Sequence, residues 1–143
     1  MLRSLLAAAA ILLAGCAQLP PTPQDMQARK FETLPDKSVI YLVRDVPDFN
    51  DGPATIWLGD DSTITTYPGT YYRWEVASGT HRIAGFAGDS GSITLRTEPG
   101  RIYYVQQRVT PFTLSRPQQP QSHFYVVTEA SGRVLVLRSQ LVQ

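Results

Sequence analysis

The most constraining feature of the sequence is a rhythm. From residue 37 onward, short β-prone runs are broken by turn signals every 8–12 residues. Val39-Ile40-Tyr41-Leu42-Val43 is a continuous apolar, β-branched run, the pattern of a strand buried on both faces. A loop follows over 45–53, dense in Asp, Asn, Gly and Pro. Residues 55–58 and 62–66 read as strands around a turn at Gly59-Asp60-Asp61. Pro68-Gly69 fits the central pair of a type II turn. Over 71–77 the alternation is clean: Tyr72, Trp74 and Val76 face one way, Tyr71, Arg73 and Glu75 the other. Further strands are expected over 81–87, 93–97, 101–109 and 124–128, with a final hairpin through Ser131-Gly132 to 134–137. No long helical period follows residue 15. The expected fold is therefore all-β: a small antiparallel β-sandwich of eight or nine short strands. A chain of 143 residues holds one such domain and not two.

The first residues carry a different signal. Met1-Leu-Arg-Ser is a short cationic start, and residues 5–13 form an unbroken apolar run. That run is too short to span a bilayer, which takes about 20 residues. With small Ala14 and Gly15 behind it, it reads as a secretory leader. Leu13-Ala14-Gly15-Cys16 resembles the bacterial lipobox. That resemblance implies cleavage before Cys16, a lipidated Cys16 as the new N-terminus carrying three chains, and no thiol left for catalysis. Several acyl chains hold a protein to a membrane firmly where one does not. Ala17 after the cysteine, in place of Asp, implies sorting to the outer membrane, facing the periplasm. The expected organisation is a leader over 1–15, a lipidated Cys16 with an extended Pro/Gln-rich tether over 16–36, and a β domain over 37–143. The Pro20-Pro21-Thr22-Pro23 stretch favours polyproline geometry, and one helical turn is expected over 27–32.

Charge and composition exclude several functions. Thirteen Lys and Arg balance twelve Asp and Glu, so no basic footprint for nucleic acid exists. One Cys allows no internal disulfide, and two His with one Cys leave almost nothing for a zinc site.

Ile40-Tyr41 with Arg44, Pro68-Gly69-Thr70-Tyr71-Tyr72, the V-x-x-G-x-H phrase of Val76, Gly79 and His81, and Gly100 with Tyr103-Tyr104-Val105 resemble a family of small bacterial envelope lipoproteins of unassigned function. Their β-sandwich is similar to PEGA and carboxypeptidase-regulatory-like domains. The resemblance covers residues 37–110 and implies a fold, a V-x-x-G-x-H hairpin and no catalytic residue. The long acidic loop at 45–52 and the Pro/Gln-rich stretch near Pro117 depart from the pattern.

Candidate chemistry is sparse. Gly88-Asp89-Ser90-Gly91 copies the nucleophile phrase of trypsin-like proteases, but the chain is too short for their two barrels and lacks a suitably placed base, so a hairpin loop is the better reading. His81 and His123 sit at strand starts beside turns, as structural histidines do. Asp45, Asp48, Asp51, Asp60 and Asp61 cluster around the first two turns. They suggest calcium, without EF-hand spacing; the plain alternative is a solvated acidic loop. Trp57, Tyr71, Arg73 and Tyr103 form either an exposed aromatic binding patch or part of the core, and alternation alone does not choose. Arg116-Pro117-Gln118-Gln119-Pro120 matches a P-x-x-P motif but reads as a loop. The expectation is a lipid-anchored, non-enzymatic envelope module without cofactor. It touches the membrane through Cys16 and an envelope protein as partner. A ligand- or calcium-binding lipoprotein is the alternative.

Overall fold

The computed structural model describes residues 20–60, 62–85, 91–111 and 121–142. Nine strands form two sheets: β1 (Ser38–Arg44), β2 (Ala54–Leu58), β3 (Ser62–Thr66), β4 (Thr70–Val76), β5 (Gly79–Gly85), β6 (Ser92–Thr97), β7 (Ile102–Thr110), β8 (Gln121–Val127) and β9 (Gln140–Leu141). One sheet runs β8-β7-β1-β4-β9 and the other β3-β2-β5-β6. The sandwich expected from the turn rhythm is the fold observed. One sheet is mixed, however. β1 pairs parallel with β7, and β4 pairs parallel with β9. Strands adjacent in space but 58 or more residues apart leave no local signal, so alternation alone suggested only antiparallel neighbours.

Among the described residues two helices add a third layer. α1 (Pro23–Ala28) and α2 (Glu129–Arg138) cover the face of the five-stranded sheet that turns away from its partner. This corrects two expectations. The described part of the tether, 20–36, is not an extended spacer: α1 lies there, earlier than the turn expected over 27–32, and Ala28 and Phe31 are buried. Thr22 caps it by accepting from the Asp25 N–H at 3.2 Å, and Pro23 opens it, where a missing N–H costs nothing. The second correction is the final hairpin, whose second arm is α2. Thr128 is its N-cap, Glu129 sits in its first turn and Arg138 in its last.

This third layer explains β1, which is buried along its whole length. Ile40 and Leu42 meet Ile56, Leu58, Ile83, Leu95 and Val105 between the sheets. Val39, Tyr41 and Val43 meet Phe31, Tyr71, Tyr104, Leu135 and Val136 under the helices. The Pro68-Gly69 turn is type II as expected: Gly69 has φ +77°, and the Thr70 N–H donates to the Tyr67 carbonyl at 3.2 Å.

Candidate functional site

The layer under the helices is built from aromatic rings. Tyr41 stacks on Tyr104 with centroids 5.4 Å apart, and Phe31 and Tyr71 pack against Tyr41 at 5.5 and 6.0 Å. Tyr41 donates to the Ala28 carbonyl. Asp25, buried on α1, accepts from the Tyr71 hydroxyl and from Arg29 Nε and Nη2, each Arg29 contact being 2.9 Å. Arg29 also donates to the Leu137 and Ser139 carbonyls, at 2.9 and 2.7 Å. These bonds lash α1 to β4 and to the C-terminus of α2.

The electrostatics follow from burial. Desolvation alone would raise the Asp25 carboxyl, but its bonds from Arg29 and Tyr71 and the Arg29 charge outweigh this and hold it below the usual carboxylate range. Burial raises the phenols of Tyr41, Tyr71 and Tyr104, and the Asp25 carboxylate raises Tyr71 further. Tyr104, whose buried hydroxyl has no hydrogen-bond partner among the described residues, is pushed up to about 12. In the folded protein these phenols keep protons that unfolded phenols lose near pH 10. Their stabilisation is complete below about pH 10 and is lost as pH rises toward and past the folded values. Alkaline titration should therefore show part of the tyrosinate absorbance appearing together with loss of circular dichroism. Full ionisation of all seven tyrosines near pH 10 with the dichroism unchanged would contradict this packing.

The residues proposed for a binding patch are not brought together. Tyr71 is completely buried under the helices. Tyr103, opposite Ile40 on β1, packs into the core between the sheets instead. Trp57 alternates with the inward Ile56 and Leu58 and so lies on the outer face of the four-stranded sheet. Arg73 shares the Tyr71 face and pairs closely with Glu75. Along β4, Tyr72, Trp74 and Val76 face the core between the sheets and Tyr71 the layer under the helices, the phase the alternation predicts. Of the two readings left open, the core one holds for Tyr71 and Tyr103, while Arg73 is half-buried beside the exposed Glu75.

The acidic cluster is also dispersed. Asp48 is consumed by Arg44, and Asp45 accepts from Arg138 at 3.1 Å. Among the described residues, no three His, Cys, Asp or Glu side chains are placed to hold a metal ion. His81 bonds the Ala77 carbonyl at 2.8 Å and packs edge-on against Trp74, while His123 meets Thr110 at 3.3 Å. Leu13, Ala14, Gly15, Cys16, Asp61, Ser90 and the P-x-x-P segment lie outside the described residues. Among the described residues no helix is long and apolar enough to cross a membrane.

What remains accessible is an edge. β9 pairs with β4 only at Thr70 and Tyr71, and the Val142 N–H donates to the Tyr71 carbonyl at 2.8 Å. Backbone groups alternate sides, so Arg73 and Glu75 present theirs on the same side as Tyr71. Among the described residues no strand pairs with them there. A groove of about 700 Å³ runs beside this edge, lined by Gln24, Gln27, Arg73, Leu141 and Val142. Such an edge can accept an extended segment by main-chain hydrogen bonds. Sequence reasoning missed it because β9 and α1, which frame it, were not expected. Comparison with protein-family models, with curated proteins and with solved structures gives no match.

Proposed function

We propose that this chain is a bacterial envelope lipoprotein whose domain works as a non-enzymatic interaction or structural module. The observation that carries the reading is the leader ending in Leu13-Ala14-Gly15-Cys16. Ala17 supports the outer membrane, and the resemblance over 37–110 to small envelope lipoproteins points the same way. The buried Asp25, Arg44 and Asp48 are spent on holding elements together. The groove beside β4 is where an extended segment of an envelope partner would lie. The calcium alternative has weaker support, since Asp45 and Asp48 are each committed to an arginine.

The test is Cys16→Ser in the native host. Intact-mass analysis of the parent protein should show acylated Cys16, and fractionation should place it in the membrane. The serine variant should carry no acyl mass and lose the membrane hold that several acyl chains give. Equal membrane retention of both forms, with no acyl mass on the parent, would overturn the reading.

A further inference from the structure

The chain emerges toward Cys16 at one particular end of the sandwich. Pro20 and Pro21 share a hollow with Leu137 and Arg138, at the C-terminus of α2. Arg138 reaches Asp45, directly beyond β1. Gly69, at the start of β4, lies against Val46: a Cβ on it would sit 3.0 Å from the Val46 side chain. Its carbonyl accepts from the Gln140 N–H that begins β9. Arg108, near the end of β7, lies over the Phe49 ring at 5.9 Å. The loop 45–53, the Tyr67–Thr70 turn and the end of α2 therefore share one end of the molecule with Pro20.

Four of the large hydrophobic side chains exposed among the described residues lie at that end. Phe49 is 66% exposed, Val46 57%, Leu137 52% and Tyr67 50%. They come from three separate segments, and the folded core explains none of them. Among the described residues the charges around them are paired: Arg138 with Asp45 and, buried beneath the loop, Arg44 with Asp48, while Arg108 lies over the Phe49 ring. Three residues separate Cys16 from Pro20, so the four Cα–Cα steps give a contour of about 14 Å at most. An acyl anchor on Cys16 would thus hold this end against the bilayer.

We propose that this end of the domain is a membrane-docking face. Val46, Phe49, Tyr67 and Leu137 would sit in the lipid–water interface, where aliphatic side chains bury area and aromatic ones settle at the headgroups. Its occupant is the glycerophospholipid interface itself. With the described charges of the face largely paired among themselves, docking takes its strength from apolar burial and not from anionic headgroups. The inference rests on the anchor reading above and adds an orientation to it: the opposite end, where β1 begins and Arg101 is exposed, points away from the membrane.

The test uses the full-length protein, acylated on Cys16 and reconstituted into phosphatidylcholine vesicles. Acylation leaves Cys16 without a thiol, so Asp51→Cys on the docking face and Arg101→Cys at the far end each carry a single nitroxide label. Collision with oxygen, relative to a water-soluble nickel chelate, should be severalfold higher at 51 than at 101. Raising the salt or adding phosphatidylglycerol should leave that ratio unchanged. Adding Val46→Asp and Phe49→Asp, both at exposed positions, should lower the ratio at 51 to the value at 101, with the melting temperature retained. A label at 51 as aqueous as that at 101, in protein of confirmed acylated mass, overturns the docking face and leaves the anchor standing. A label shielded from both reagents, with spin–spin broadening between copies, overturns it in favour of self-association. Unmodified Cys16 overturns the anchor reading and this orientation with it.

Discussion

Arg44→Met should cost about 3–5 kcal/mol in chemical denaturation, enough to unfold a domain of ordinary stability. Arg44 ends β1 with its side chain fully buried. Its Nε donates to Asp48 Oδ2 at 2.6 Å, and its Nη1 donates to the Gly52 and Thr66 carbonyls at 2.8 and 3.1 Å. Its Nη2 donates to the Asn50 carbonyl. One guanidinium thus satisfies a buried carboxylate and three carbonyls, and shapes the 45–53 loop around itself. Methionine fills similar space but leaves the Asp48 carboxylate, nearly as buried, without a counter-charge. Asp48 keeps N–H bonds from Phe49 at 2.8 Å and Val109 at 3.1 Å, which position a carboxylate but do not neutralise it. Arg44→Lys retains the charge and loses the planar fork, so it should fall between wild type and methionine. Combining Arg44→Met with Asp48→Asn should cost less than the two single changes added, because the pair fails together. A methionine variant within about 1 kcal/mol of wild type would show that the pair is a passive occupant of its site. The consequence reaches the surface, because Val46 and Phe49 belong to this loop and lose their fixed presentation when its template goes.

How much of this was readable from residues alone depends on whether the cause is local. The run at Val39–Val43 announced a strand covered on both sides, because both phases of the alternation are apolar. Pro68-Gly69 announced its turn through backbone geometry that the two residues impose by themselves. What covered the second face of β1 was not readable in the same way. In α2, Gly132, Val134 and Val136 weaken the helical pattern, and Ser131-Gly132 mimics a turn. The Thr128 cap with Glu129 after it was the available signal, and the tertiary layer decided the outcome. At α1 the proline-rich context masked Thr22-Pro23, a good helix start. Once these helices were absent from the reading, Tyr71 and Arg73 had nothing to cover them and became candidates for an exposed patch. The parallel β1–β7 pair and the convergence of Pro20, Val46, Phe49 and Leu137 depend on contacts distant in sequence, which periodicity does not encode.

Gly132→Ala should destabilise the domain by about 1–3 kcal/mol or more, although glycine to alanine inside a helix ordinarily gains about 1 kcal/mol. The reversal of sign comes from contact with β7. A Cβ on Gly132 would lie 2.2 Å from Tyr104 Cγ and 2.4 Å from both Cβ and Cδ1. Of these atoms Cβ is fixed by the Tyr104 backbone, on a strand held on both sides by β1 and β8, so a rotamer change does not clear it. The ring has no room either, since it stacks on Tyr41 and meets Phe31 at 6.2 Å. The remaining relief is for α2 to lift off the sheet, exposing Leu135 and Val136. Ser131→Ala, one position earlier and exposed, is the control and should be neutral or stabilising. Tyr104→Phe should not rescue the alanine variant, because the clashing carbons remain. Tyr104→Ala should couple favourably with it in a double-mutant cycle, by removing the ring atoms while adding a cavity cost of its own. A Gly132→Ala protein that melts at or above wild type would mean that α2 does not seat this closely. If it seats as described, lifting it also pulls Leu137, Arg138 and the carbonyls that Arg29 holds. In the orientation proposed above, the same variant should weaken the grip of α1 and disturb the membrane-facing end together, through a glycine touching neither.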